Sequence, residues 1–168
     1  AAYRNASQVM LITDATFAFT PPDGLFKRQW HLESRRAPQL VADASVQAPL
    51  AWDITRGERS IVVAVVDDGF DIDHPDFQGE GKQVHPFDFV DGDGKPFPEG
   101  PDYHGTPCAG VAIAESNGHG VVGVAPGCAF MPVRISMAED DDQTAEIFGE
   151  MVAALGGPAD DLRTARAD

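Results

Sequence analysis

Two short segments of this chain hold the residues best suited to chemistry. The first, Val63-Ala64-Val65-Val66-Asp67-Asp68-Gly69, is an apolar run ending in two acids and a glycine. The second is His104-Gly105-Thr106-Pro107-Cys108-Ala109-Gly110. A carboxylate that orients an imidazole makes it a general base, and such a base activates a hydroxyl nucleophile. Each segment alone also has an ordinary reading. Asp and Gly are common turn residues at a strand end. A lone histidine opening a helix is commonly a solvated or capping one. The run Asp67, Asp68, Asp71, Asp73 and Asp76 also offers hard oxygens to a divalent cation. It lacks the Asp-x-Asp-x-Asp-Gly spacing of an EF-hand loop.

A strand must present the acids and a helix the histidine. Ser60 to Val66 is an unbroken β-branched and alanine run, predicting a strand buried on both faces, as in a parallel sheet. An acid at the carboxyl end of such a strand sits where α/β folds place ligands. His104 to Ser116 predicts a helix whose Gly105, Ala109, Gly110, Ala112 and Ala114 allow close packing. Asn117-Gly118-His119-Gly120 ends it. The helix N-terminus disfavours a charged His104 and predicts a neutral ring.

The remaining elements follow from periodicity and punctuation. Ser45 to Ile54 predicts a short helix capped by Ser45, with Pro49 early and Gly57 beyond its end. Residues 121–125 and 129–135 predict strands, and residues 78–103 a loop with at most short strands. Val9 to Ile12 predicts a further strand. Glu139 to Asp142 precede a helical pattern carried by Ile147, Phe148, Met151, Val152 and Leu155. The alternation of helix and strand implies an α/β fold with a parallel sheet.

Composition narrows the partners. Of 168 residues, 43% are hydrophobic, enough for a core, and the formal net charge is −15. That charge argues against nucleic acid and favours cations or basic peptides. No apolar stretch approaches the ~20 residues of a membrane span. Two cysteines, Cys108 and Cys128, make neither a disulfide scaffold nor a zinc ribbon. Cys108 lies one turn after His104 on the same helix face; its ordinary reading is a small core residue. The chain opens Ala1-Ala2-Tyr3, which predicts a processed product or a fragment.

Together these segments resemble the subtilisin-like serine peptidases. The resemblance is carried by Val-Ala-Val-Val-Asp67-Asp68-Gly69, His74-Pro75-Asp76, His104-Gly105-Thr106-x-Cys108-Ala109-Gly110 and Gly123-Val124-Ala125-Pro126. Asp67-Asp68-Gly69, the cysteine four residues after the histidine, and Gln29-Trp30-His31-Leu32 resemble the kexin-type branch. The resemblance covers roughly residues 23–136.

It implies a three-layer subtilisin-like α/β fold with a parallel sheet, incomplete in this chain. Residues 1–22 would be an N-terminal segment, a propeptide end or a linker. Residues 23–148 would be the first part of the catalytic domain, and 149–168 a divergent tail. Asp67 would be the catalytic acid and His104 the general base. The family nucleophile sits in a Gly-Thr-Ser-x-Ala turn, which is absent here; Ser7, Ser34, Ser45, Ser60, Ser116 and Ser136 all lack that context. The oxyanion-hole asparagine likewise has no counterpart. Loss of a triad nucleophile costs on the order of a millionfold in kcat, so the chain alone is expected to be inactive.

Asp68 and Asp102 would line the pocket for the substrate residue before the scissile one and favour a basic side chain. The resemblance also implies a structural Ca²⁺ held by Asp23, Asp76, the Asn117 side chain and the carbonyls of Glu115, His119 and Val121. Implied partners are peptide or protein substrates, in a secreted or extracytoplasmic setting. Two other readings stand beside the peptidase. One is a catalysis-free calcium- or peptide-binding module on the same fold. The other is a metal-dependent hydrolase using Asp67, Asp68, Asp76 and His104 as ligands.

Overall fold

The computed structural model describes residues 19–33 and 44–136. The expected strand at residues 9–12 and the acid-led helix after residue 139 lie outside them. In chain order the elements are α1 (Ala48–Trp52), β1 (Val62–Asp67), β2 (Phe87–Asp88), α2 (Gly105–Ile113) and β3 (Ala129–Arg134). Short 3-10 turns occupy Phe26–Arg28 and Pro75–Phe77.

The three strands form a parallel sheet in the order β1-β3-β2. Val62 lies opposite Ala129 and Asp67 opposite Arg134, while Asp88 faces Arg134 from the other side. The register therefore brings Asp67, Arg134 and Asp88 into one row at the carboxyl ends of the strands. β3 is central and buried along its whole length. Its side chains alternate between two apolar clusters, as the pleat requires. Phe130 packs edge-on against Phe70 at 5.4 Å between ring centroids, and against Phe77 at 5.0 Å. Ala109 and Ile113 of α2 close this cluster, with Val63 and Val65 at its margin. Met131, Val133 and Ile135 gather Val66, Val84 and Phe89 on the opposite face.

A third cluster ties residues 19–33 to the body. Phe26, Leu32, Ala48, Trp52 and Val122 are buried together. The Trp52 indole donates to the Val124 carbonyl at 2.8 Å. Gln29 makes a two-way pair with the Val122 backbone, at 2.8 and 3.0 Å.

Three expectations need correction. β1 is not buried on both faces: Val62 is 48% exposed, because β1 is an edge strand with one side uncovered among the described residues. Residues 121–125 do not form a strand. Three of their N–H groups bond carbonyls at the C-terminal end of α2 instead, with Gly123 to Ala114 just past the helix, Val124 to Val111 and Ala125 to Ala112, all near 2.9–3.0 Å, while Val121 and Val122 bond the Asp76 and Gln29 side chains. Those carbonyls have no partner inside the helix, so the segment is drawn to them rather than to the sheet. The first helix is shorter than expected and Ser45 does not cap it. Gln47 takes a left-handed conformation (φ 54°) that a right-handed helix cannot contain, and its N–H bonds Ser45 Oγ at 3.4 Å.

Candidate active site

Asp67 ends β1 and His104 directly precedes α2. A close approach of the two elements sets their spacing. A Cβ added at Gly105 would collide with the Gly69 carbonyl, the Asp67 side chain and the Phe70 ring. Glycine therefore lets the helix start rest against the strand end, and His104 meets Asp67. His104 Nδ1 lies 2.9 and 3.0 Å from the two Asp67 carboxylate oxygens. In this arrangement Nδ1 carries the proton and donates it to the carboxylate, leaving Nε2 as the basic nitrogen.

The helix start alone favours a neutral ring, but Asp67 outweighs it. Its hydrogen bond and charge raise the His104 pKa above the ordinary value; slight burial opposes this and Asp68 adds to it. The His104 side chain is 64% exposed, so a substrate hydroxyl can reach it.

Asp68 caps the helix. Its carboxylate accepts from the N–H groups of Tyr103, His104 and Gly105 at 3.2, 3.1 and 2.8 Å. A carboxylate on these free N–H groups satisfies donors that have no helical partner and faces the positive end of the dipole. Burial works against its ionisation, yet the backbone donors and the Asp67 contact prevail and hold its pKa below the ordinary carboxylate value. Asp102 accepts from the Glu99 N–H at 3.2 Å and lies 3.6 Å from Arg134 Nη2.

Arg134 is the functional-site residue that sequence reasoning missed. Its Nε donates to the Asp68 carbonyl at 3.2 Å, and Nη1 to Asp88 at 3.0 Å and Asp91 at 3.2 Å. Glu99 lies 3.4 Å from Nη2. One guanidinium thus fastens the 88–102 loop to the turn that follows Asp67. Burial opposes its charge, but Asp88 and then Glu99 hold its pKa above the ordinary value.

Cys108 Sγ lies 3.5 Å from both ring nitrogens of His104, on the helix face expected for it. Burial and then the Asp67 and Asp68 charges raise its pKa, so it remains a thiol. Asp67, His104 and Cys108 are the one group of three metal-capable side chains within reach of each other among the described residues. Asp68 and Asp76 do not join them, which removes half of the ligand set imagined for a metal-dependent hydrolase.

The acids expected to hold calcium clamp the loop after α2. Asp23 accepts from Ser116 Oγ at 2.8 Å and from the Asn117 and Gly118 N–H groups at 3.1 Å. Asp76 is 1% exposed and accepts from the Val121 N–H at 3.2 Å and Asn117 Nδ2 at 3.5 Å. Among the described residues the basic group within 4 Å of it is His74 Nδ1 at 3.9 Å, which accepts the Asp76 N–H. A buried carboxylate with only neutral donors suits a bound cation. A Cβ at Gly120 would strike the Asp76 carboxylate, so the backbone is built to approach it. The Glu115 side chain turns elsewhere, to Arg59 and the Gly79 N–H, and His119 contributes its N–H to Asn117 Oδ1. Among the described residues no helix is long and apolar enough to cross a membrane.

Comparison with known proteins shows what this chain is similar to in sequence and fold. The calcium-dependent protease of Nostoc sp. (strain PCC 7120) is 35% identical over 142 residues, covering 80% of this chain and 21% of that protein. Kexin of Saccharomyces cerevisiae is 30% identical over 166 residues, covering 94% of this chain and 20% of kexin. This chain thus spans about a fifth of the length of these curated relatives. The Aeromonas sobria serine protease, solved in complex with its chaperone, superposes with a TM-score of 0.65 at 26% identity, over 83% of this chain and 24% of that one. The sequence profile of the subtilase family (Peptidase S8) matches residues 58–161. This chain belongs to the subtilase family.

Proposed function

We propose that this chain carries the acid–base half of a serine endopeptidase's Asp-His-Ser triad and is inactive by itself. The observation that carries this is the contact between His104 Nδ1 and the Asp67 carboxylate, with the ring exposed. His104 Nε2 takes the proton from a serine hydroxyl as it attacks the scissile carbonyl, then returns it to the leaving amine. Asp67 keeps the ring in the right tautomer and stabilises the imidazolium. Of the four described serines, Ser60 and Ser116 are bonded to Glu58 and Asp23, Ser45 accepts the Gln47 N–H, and neither these nor Ser136 bonds His104. Asp68 and Asp102 flank the dyad and give the pocket before the scissile residue a preference for basic side chains. An extracytoplasmic site of action is part of this reading, carried by the family resemblance. The 168-residue chain should show no turnover of a peptide substrate. Turnover abolished by a serine-directed inhibitor would overturn the proposal.

A structural Ca²⁺ belongs to the same reading. Asp76, Asp23, the Asn117 side chain and the carbonyls of Glu115, His119 and Val121 would hold it. The ion would supply positive charge to the buried Asp76 and cross-link the loop to the N-terminal segment. Calorimetric titration should show Ca²⁺ binding to the folded chain and its loss in Asp76→Asn; a flat titration of the unsubstituted protein would rule the site out. A catalysis-free calcium- or peptide-binding module is the second reading, favoured by the buried Asp76 and by the absence, among the described residues, of a serine bonded to His104. Peptidase activity that depends on Asp67 and His104 would exclude it.

A further inference from the structure

Lys82 lies outside the dyad and the proposed calcium loop, and its surroundings are unusual for an ammonium group. The side chain is 0% exposed. Nζ donates to the carbonyls of Ile113, Cys128 (2.9 Å) and Pro126 (3.2 Å). Among the described residues no carboxylate lies within ion-pair distance of it. Buried ammonium groups ordinarily pair with an acid, because desolvating an unpaired charge is costly. Here main-chain oxygens alone take that role, as they do around a desolvated alkali cation.

The cage carbonyls come from two stretches of chain, the end of α2 and the turn before β3. Ile113 ends α2, so its carbonyl lies at the negative end of the helix dipole. Neighbouring carbonyls of that last turn are already taken by the N–H groups of Gly123, Val124 and Ala125. Pro126 and Cys128 precede β3, and Arg59 Nη1 binds the same two oxygens from outside at 3.3 and 2.9 Å. The Arg59 charge is met by Glu115. The backbone of Lys82 is itself pinned, its carbonyl accepting the Phe130 N–H. The Pro126 and Cys128 oxygens are thus also held by Arg59, and the Ile113 oxygen by its place at the end of the helix.

We propose that Lys82 is a built-in structural cation, whose ammonium fills a preformed carbonyl site that takes a small monovalent cation when the side chain is removed. Its role is to lock the C-terminal end of the helix whose N-terminal end presents His104. Lys82→Ala deletes one positive charge and opens the space its methylenes held, so a free ammonium or potassium ion restores the original charge count.

Thermal unfolding of the Lys82→Ala chain in ammonium, potassium and choline chloride at equal ionic strength tests this. Choline is too large for the cage. The variant should melt below the unsubstituted protein in choline. Ammonium, and potassium if the site accepts either ion, should raise its melting temperature saturably by about 3 °C or more. The unsubstituted protein should respond equally to all three salts. Equal melting of the variant in the three salts overturns the proposal. If the variant has no cooperative transition in any salt, the unsubstituted protein decides. Its Lys82 ammonium protons should exchange about tenfold or more slowly than those of the exposed Lys27 and Lys95. Comparable rates would overturn it.

Discussion

Arg134→Met should destabilise the folded chain by about 3–5 kcal/mol, read as a lower urea midpoint with an unchanged slope. The cost comes from what the substitution leaves behind. Asp88 is 0% exposed and its partner guanidinium is only 7% exposed on the side chain, 3.0 Å away. Removing the cation strands a carboxylate with only the N–H groups of Val90 and Asp91 to compensate it. The contacts to Asp91 and Glu99 contribute little to this figure, because those acids are 53% and 67% exposed and water screens them. The double substitution Arg134→Met with Asp88→Leu should recover most of the loss, since neither buried charge then remains. Arg134→Lys should fall between, because an ammonium cannot bond Asp88 and the Asp68 carbonyl through one planar fork. A cost below about 1 kcal/mol for Arg134→Met would show that the guanidinium is not the buried partner described here.

The legibility of the site in the sequence tracks how local each signal is. Asp67 and His104 were readable because each sits at an element boundary marked by its neighbours, an apolar run on one side and Gly-Thr-Pro on the other. Gly105 signalled close packing through its type alone, and the contact with Gly69 and Asp67 is that packing. Arg134 and Lys82 were not readable in the same way. Each is a lone cation whose partners are scattered between residues 68 and 128, and only the strand register and the chain's return past α2 gather them. Arg134 did leave one trace, as a charged residue inside the run Met131-Pro132-Val133-Arg134-Ile135, where a buried strand rarely tolerates an unpaired charge. Periodicity also misled at residues 121–125. An apolar run cannot say whether its N–H groups will meet a strand or the frayed end of a helix.

Asp67→Asn, tested in a form of the protein in which a serine completes the triad, should lower kcat by roughly 10⁴ with little change in KM. The amide fits where the carboxylate was, so geometry is nearly kept while the charge is lost. An amide can present its NH₂ to Nδ1, which favours the tautomer with the proton on Nε2, the wrong nitrogen for a base. The same change is visible without turnover. In the isolated chain the His104 pKa is held above its ordinary value by Asp67, so the NMR titration of its ring should move to lower pH in Asp67→Asn. The sign of the stability linkage follows. The raised pKa makes the pair's contribution fully present below the unfolded value near 6.5, and that contribution disappears as pH rises through the folded value. Catalysis runs the opposite way, because a general base must be unprotonated, so activity should rise through that same raised pKa. An Asp67→Asn enzyme with activity within about tenfold of the original, or an unmoved ring titration, would remove Asp67 from the role that its 2.9 Å contact supports.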